Sequence, residues 1–153
     1  VAQRVRERFL REYKKVSGKQ VTFYDGILEM LRRLKEQGML TAIATNKPDA
    51  NAQLIVQRFM PGLIDFTYGQ REGLPTKPDP AVVRLIMRQA GVTPQEAIYI
   101  GDSDVDMQTG QAAGVATVGV LWGFRQREEL VRAGAEMLAA DAKQLYHFIT
   151  QTP

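Results

Sequence analysis

Apolar positions along this chain alternate between two spacings, and that alternation predicts an α/β fold. From Arg4 to Lys15 the apolar residues Val5, Phe9, Leu10 and Tyr13, with Val16 just beyond, recur at helical spacing until Ser17-Gly18 stops the run. After a short extended stretch, Gly26-Ile27-Leu28 opens a second helix with Ile27, Met30, Leu31 and Leu34 on one face, closed by Gly38. Met39 to Ala44 is then a short, nearly continuous apolar run, the pattern of a strand buried on both faces. The same two patterns take turns to the end of the chain. Helices are predicted over Pro48–Phe59, Pro80–Ala90, Asp104–Ala113, Gln126–Ala133 and Ala142–Ile149, and strands over Phe66–Gly69, Ala97–Ile100, Val115–Val120 and Glu136–Ala139. Strands and helices alternating at these lengths imply a parallel sheet covered on both faces, and right-handed crossovers make it doubly wound. Such sheets bind ligands beyond the carboxyl ends of their strands.

Composition narrows the chemistry. The chain has 153 residues, 44% of them hydrophobic, which is enough for one buried core. It has no cysteine and one histidine, His147, so disulfides, thiolate zinc sites, cysteine nucleophiles and histidine-rich metal sites are excluded. A metal would need oxygen ligands, which favours a hard cation such as Mg²⁺. No apolar run approaches a membrane span and no secretory signal opens the chain, so the expectation is a cytoplasmic protein with no membrane partner. Net charge is +3, concentrated in the first twenty residues, where seven bases face Glu7 and Glu12. A basic helix could meet nucleic acid, but no aromatic base-stacking pattern accompanies it and a solvated helix face accounts for it. No nucleic-acid partner is expected.

Three polar clusters fall at predicted strand ends. The first is Thr45-Asn46-Lys47-Pro48, where a hydroxyl could bond a phosphate oxygen, although helix capping would use the same residues. The second is Thr76-Lys77-Pro78-Asp79-Pro80. Asp79 before Pro80 reads as an N-cap followed by proline at the first helical position, which leaves Lys77 unexplained; its ammonium could offset phosphoryl or carboxylate charge. The third is Gly101-Asp102-Ser103-Asp104-Val105-Asp106. Three carboxylates within five residues repel one another unless a cation sits among them, and Asp102 and Asp106 can face a common point. Ser103 as N-cap explains itself and Asp106, but not Asp102. The order Thr, Lys, then acids also excludes a two-component receiver domain, which runs acids first.

Ala42-Ile43-Ala44-Thr45-Asn46-Lys47, Thr76-Lys77-Pro78-Asp79-Pro80 and Gly101-Asp102-Ser103-Asp104-Val105-Asp106 together resemble the second, third and fourth motifs of the haloacid dehalogenase superfamily. Gly114-Val115 and Trp122-Gly123 are similar to phosphoglycolate phosphatases within it. The resemblance implies a Rossmann-like core over residues 26–153, a hinge at 18–25 and the end of a helical cap at 1–17. It implies a Mg²⁺-dependent phosphomonoester hydrolase acting on a small phosphorylated metabolite. Thr45 and Lys77 would be catalytic, Thr45, Asn46 and Lys77 would bind phosphate, and Asp102 and Asp106 would hold Mg²⁺. Phosphoglycolate is the family-level substrate, with other small phosphate esters or pyrophosphate behind it.

One departure stands out. The family opens with a central strand ending in Asp-x-Asp-Gly-Thr, whose first Asp is the nucleophile, and nothing before Thr45 supplies it. Phe23-Tyr24-Asp25-Gly26 imitates its end, but the nucleophile position would be Phe23, so Asp25 is not taken as catalytic. The expectation is a fragment lacking that strand, inactive alone, with two unpaired strand edges; a partner strand is the variant explanation. A non-catalytic regulatory or interaction module retaining the fold is the alternative function.

Overall fold

The computed structural model describes residues 21–151. The helix expected over Arg4–Lys15, the cap remnant at 1–17 and the first part of the hinge, residues 18–20, lie outside the described residues. From Ile27 onward the chain alternates as α1 (Ile27–Glu36), β1 (Ala42–Pro48), α2 (Asp49–Phe59), β2 (Phe66–Gln70) and α3 (Ala81–Ala90). It continues as β3 (Ile98–Gly101), α4 (Asp104–Ala113), β4 (Ala116–Val120), α5 (Arg127–Arg132), β5 (Met137–Ala139) and α6 (Ala142–Gln151). A single 3₁₀ turn, Pro94–Glu96, precedes β3, held by Glu96 accepting the Thr93 N–H at 2.8 Å.

Each element follows from its apolar period. Met30 and Leu34, one turn apart, are the buried face of α1, and Val82, Val83 and Met87 are that of α3. Two apolar clusters result, one on each side of the sheets. Met30 and Leu34 of α1 and Leu145 of α6 pack with Val118, Val120 and Ala139 on one side. Val82, Val83 and Met87 pack with Ala113, Val115, Tyr68 and Tyr99 on the other.

All strand pairing is parallel, but the described strands form two sheets rather than one. β1 pairs β2, with Ala42 opposite Phe66 and Ala44 opposite Tyr68. β3, β4 and β5 form the second sheet in that order, with Ile98 opposite Ala116 and Val118 opposite Met137. Among the described residues, neither β1 nor β3 bonds a strand on its other side. The cause is visible in the layers: the helices cover both sheets, but no described strand lies between β1 and β3.

Two boundaries differ from expectation in a way that matters for the site. β1 starts at Ala42 rather than Met39 and runs on through Thr45 and Asn46, with a register irregularity between Ala44 and Pro48. The first polar cluster is thus the irregular carboxyl end of a strand, not the loop after it. α3 begins at Ala81, and the Asp79 carboxylate accepts the Ala81 N–H at 2.8 Å, so the expected capping chemistry operates one residue further along.

Candidate active site

Lys77 ties together the carboxyl ends of the two sheets. Its N–H donates to Asn46 Oδ1 at 2.9 Å and its carbonyl accepts Asn46 Nδ2 at 3.1 Å, so the end of β1 holds the 76–79 loop by a two-way bond. Its ammonium donates to Asp106 Oδ1 at 2.6 Å on α4, which follows β3. Only 13% of the Lys77 side chain and 10% of that of Asp106 is exposed, so this pair is little screened by solvent. Thr45 stands next to Asn46 on β1 and is half-buried; its Oγ1 accepts the Lys47 N–H at 3.2 Å and keeps its own proton to donate. Asn46 therefore clasps the loop that carries Lys77, a use of its amide beyond shaping the Thr45 loop.

Asp106 is engaged on both oxygens. Oδ1 takes Lys77 Nζ and, at 3.4 Å, the Tyr99 hydroxyl. Oδ2 takes Ser103 Oγ at 2.8 Å and the Asp102 N–H at 3.2 Å. Ser103 in turn accepts the Asp106 N–H at 3.3 Å, the N-cap expected for α4. The close approach demands glycine at 101, where a Cβ would lie 2.2 Å from that of Asp106. Tyr99 is a part of the site that the sequence did not announce. Burial pushes its phenol well above the usual value, and the Asp106 carboxylate and the hydrogen bond to it push it further, so it remains a neutral donor.

Asp102 sits differently. Its Oδ2 accepts the Phe124 N–H at 2.9 Å and its carbonyl accepts that of Arg125 at 3.0 Å, which fastens the loop after β4 to it. A Cβ on Gly123 would come within 2.3 Å of the Asp102 side chain, so that loop can lie this close only with glycine there. Oδ1 of Asp102 makes no hydrogen bond among the described residues. Asp102 and Asp106 were expected as joint metal ligands; in the structure Asp106 is saturated by four donors and Asp102 alone offers a free carboxylate oxygen. No group of three or more acidic or histidine side chains fit to hold a metal occurs among the described residues. Asp25, set aside in the sequence, is exposed and makes no bond to Lys77, Asp102 or Asp106.

A hydroxyl, a held ammonium and a half-free carboxylate thus lie at the carboxyl ends of parallel strands. The family model for haloacid dehalogenase-like hydrolases matches residues 2–120.

The chain belongs to that family.

Its relatives include a phosphoglycolate phosphatase of Pseudomonas putida, 33% identical over 123 residues, covering 80% of this chain and 45% of the relative. A phosphoglycolate phosphatase of Xanthomonas campestris is 34% identical over 123 residues, covering 76% of this chain and 53% of the relative. The chain thus spans about half the length of the curated relatives it matches. Among solved structures, a candidate phosphoglycolate phosphatase from Lactobacillus delbrueckii subsp. bulgaricus superposes with a TM-score of 0.87 at 32% identity, covering 96% of this chain and 62% of that one. The haloacid dehalogenase-like fold is therefore secure. None of the described helices is long and apolar enough to cross a membrane.

Proposed function

We propose that these residues are the phosphate- and metal-binding half of a phosphomonoester hydrolase of phosphoglycolate phosphatase type. The observation that carries the reading is Lys77, gripped by Asn46 on one side and Asp106 on the other, which places a fixed cation between the strand ends bearing Thr45 and Asp102. Thr45 donates its hydroxyl to a phosphoryl oxygen, and Lys77 offsets the negative charge of phosphate and attacking carboxylate. Asn46 positions Lys77, and Asp106 orients its ammonium.

The donor set fits Mg²⁺, an ion that keeps several waters and is bound through one or two carboxylates plus substrate phosphates: one carboxylate has a free oxygen and there is no soft ligand. Asp102 would hold it, with Asp106 fixing the turn behind. When bound, the ion supplies charge stabilisation and orients the phosphate. The nucleophile in this reading is a carboxylate from a segment outside residues 21–151. It attacks phosphorus as the P–O bond to the ester breaks and the alcohol leaves with a proton, giving an aspartyl-phosphate that water hydrolyses to inorganic phosphate and the free carboxylate. The ligand is a small phosphorylated metabolite, phosphoglycolate first, in a cytoplasmic setting without nucleic-acid or membrane partners.

The test is hydrolysis of a small phosphate-ester panel including phosphoglycolate, with and without Mg²⁺. It is run on the chain alone and with an Asp-bearing strand fused before it. Turnover in the fused protein with Mg²⁺, and silence in the chain alone, is the expected result. Silence of the fused, well-folded protein on every ester overturns the reading.

A further inference from the structure

The acids of residues 101–106 are neutralised unequally. Asp106 takes the Lys77 ammonium at 2.6 Å, and Asp104 Oδ1 takes Arg125 Nε at 3.4 Å. Asp102 takes only the Phe124 N–H on its side chain, and no lysine or arginine among the described residues pairs with it. Carboxylates so close along the chain repel one another, and here two of them are matched by cations of the protein while Asp102 is left for another. Arg125 is held in place for its share. Its N–H donates to the Asp102 carbonyl at 3.0 Å, its Nη1 stands 3.7 Å from Glu129 Oε1 on α5, and its guanidinium lies 4.8 Å from the centre of the Phe124 ring. Nε is buried and makes no hydrogen bond, so the Asp104 charge is what compensates it. The carboxylates of Asp102 and Asp104 thus rest against the same two residues, Phe124 and Arg125. Asp104 is 44% exposed, so without Arg125 its side chain is free to turn toward an ion on Asp102.

We propose that Arg125 is a specificity-determining residue for the metal: by holding Asp104 it keeps the site at one free carboxylate, which suits Mg²⁺ and disfavours Ca²⁺. Mg²⁺ keeps several of its waters and is content with one or two carboxylates, whereas Ca²⁺ takes about six to eight oxygen ligands and gains from each carboxylate added. Asp102 alone meets the first requirement. Asp102 with a released Asp104 moves toward the second. The inference rests on the Mg²⁺ part of the phosphatase reading. Charge acting through space cannot imitate it: both ions are divalent, so a nearby guanidinium repels them alike and its removal moves both affinities together. Only a change in the ligands on offer moves their ratio. Arg125 thus acts through Asp104, as Lys77 acts on Asp106, and each basic residue withdraws one acid from the ion.

The experiment titrates Mg²⁺ and Ca²⁺ separately into the purified 153-residue chain, with each Kd read by calorimetry and again from Trp122 emission. The parent should prefer Mg²⁺. Arg125→Met should move the ratio of the two Kd values toward Ca²⁺ by about tenfold, the scale on which residues behind a metal ligand act. Arg125→Lys keeps a cation on Asp104 and should stay within about threefold of the parent ratio. Arg125→Met/Asp104→Asn should bring the ratio back, because the freed side chain no longer offers a carboxylate. Asp104→Asn alone, which leaves Arg125 intact, should hold the ratio within about twofold of the parent and keeps the test decisive if Arg125→Met does not fold. Equal shifts of both ions in Arg125→Met, a ratio change that persists in the double variant, or a ratio altered by Asp104→Asn overturns the role of Arg125 and leaves the Mg²⁺ reading standing. A parent that binds neither ion, or prefers Ca²⁺, overturns both.

Discussion

Replacing Lys77 by methionine tests whether the bridge between the two sheets is energetically real. The stem is conserved in length, so the change removes the ammonium with little loss of packing. A buried ion pair broken on one side typically costs about 3–5 kcal/mol, because a charge is left without compensation. Here the Asp106 carboxylate keeps three donors, the hydroxyls of Tyr99 and Ser103 and the Asp102 N–H, so the orphaned charge is partly satisfied. The expected cost falls to about 2–3 kcal/mol. With a urea slope of about 2 kcal/mol/M for a domain of this size, the midpoint drops by about 1–1.5 M at unchanged slope. Asp106→Asn should cost at least as much, since its amide group cannot accept at both positions where Asp106 accepts. The double variant Lys77→Met/Asp106→Asn should lose less than the sum of the two singles, giving a coupling energy above about 1 kcal/mol in the cycle. A Lys77→Met midpoint within about 0.2 M of the parent, or additive single and double variants, would refute the claim that this pair joins the sheets.

Other consequences follow from the same geometry. Gly101→Ala and Gly123→Ala place a Cβ against Asp106 and Asp102, and each should destabilise by about 1–3 kcal/mol, read by thermal or urea unfolding. Millimolar Mg²⁺ should change the emission of Trp122, the single tryptophan, two residues before the Asp102-bonded loop position; a chelator should reverse it and Asp102→Asn should abolish it. Asp65 is partly desolvated, which opposes ionisation, but the Lys35 ammonium and the Thr41 N–H and hydroxyl outweigh that and hold its carboxyl below the usual value. The stability its ionised form contributes is complete above the ordinary carboxylate range and drains away as pH falls through the lowered value. Asp65→Asn should therefore flatten the loss of stability on acidification below about pH 4; an unchanged acid limb would contradict the assignment.

What the sequence showed and what it hid divide along physical lines. Ser103 was legible as a cap because capping is local chemistry within three residues, and Asp79 still accepts a first-turn N–H although Pro80 takes the cap position expected of it. The alternation of elements was legible because apolar period reports burial directly. Tyr99 was not: in sequence it is one apolar-looking residue in a strand, and its link to Asp106 exists only because α4 turns back over β3. Asn46 was read beside Thr45 as part of a phosphate loop, while its grip on Lys77 spans 31 positions and depends on where two loops meet. Asp102 and Asp106 looked equivalent in the motif, and only three-dimensional donor placement separates them.

That separation bears on how the site works as a whole. Thr45 and Asn46 lie on β1 of one sheet, whereas Asp102 follows β3 of the other and Asp106 lies on α4 behind it, and among the described residues these sheets share no strand hydrogen bonds. The polar connection at their carboxyl ends runs through one side chain, from Asn46 through Lys77 to Asp106. Phosphoryl transfer is sensitive to misplacement on the scale of an ångström. A site divided in this way depends on that connection for its geometry. On this argument Asn46→Ala, which frees the Lys77 loop from β1 without touching the ammonium, should weaken binding of inorganic phosphate at least as much as Thr45→Val does, and phosphate affinity equal to the parent's would refute the coupling.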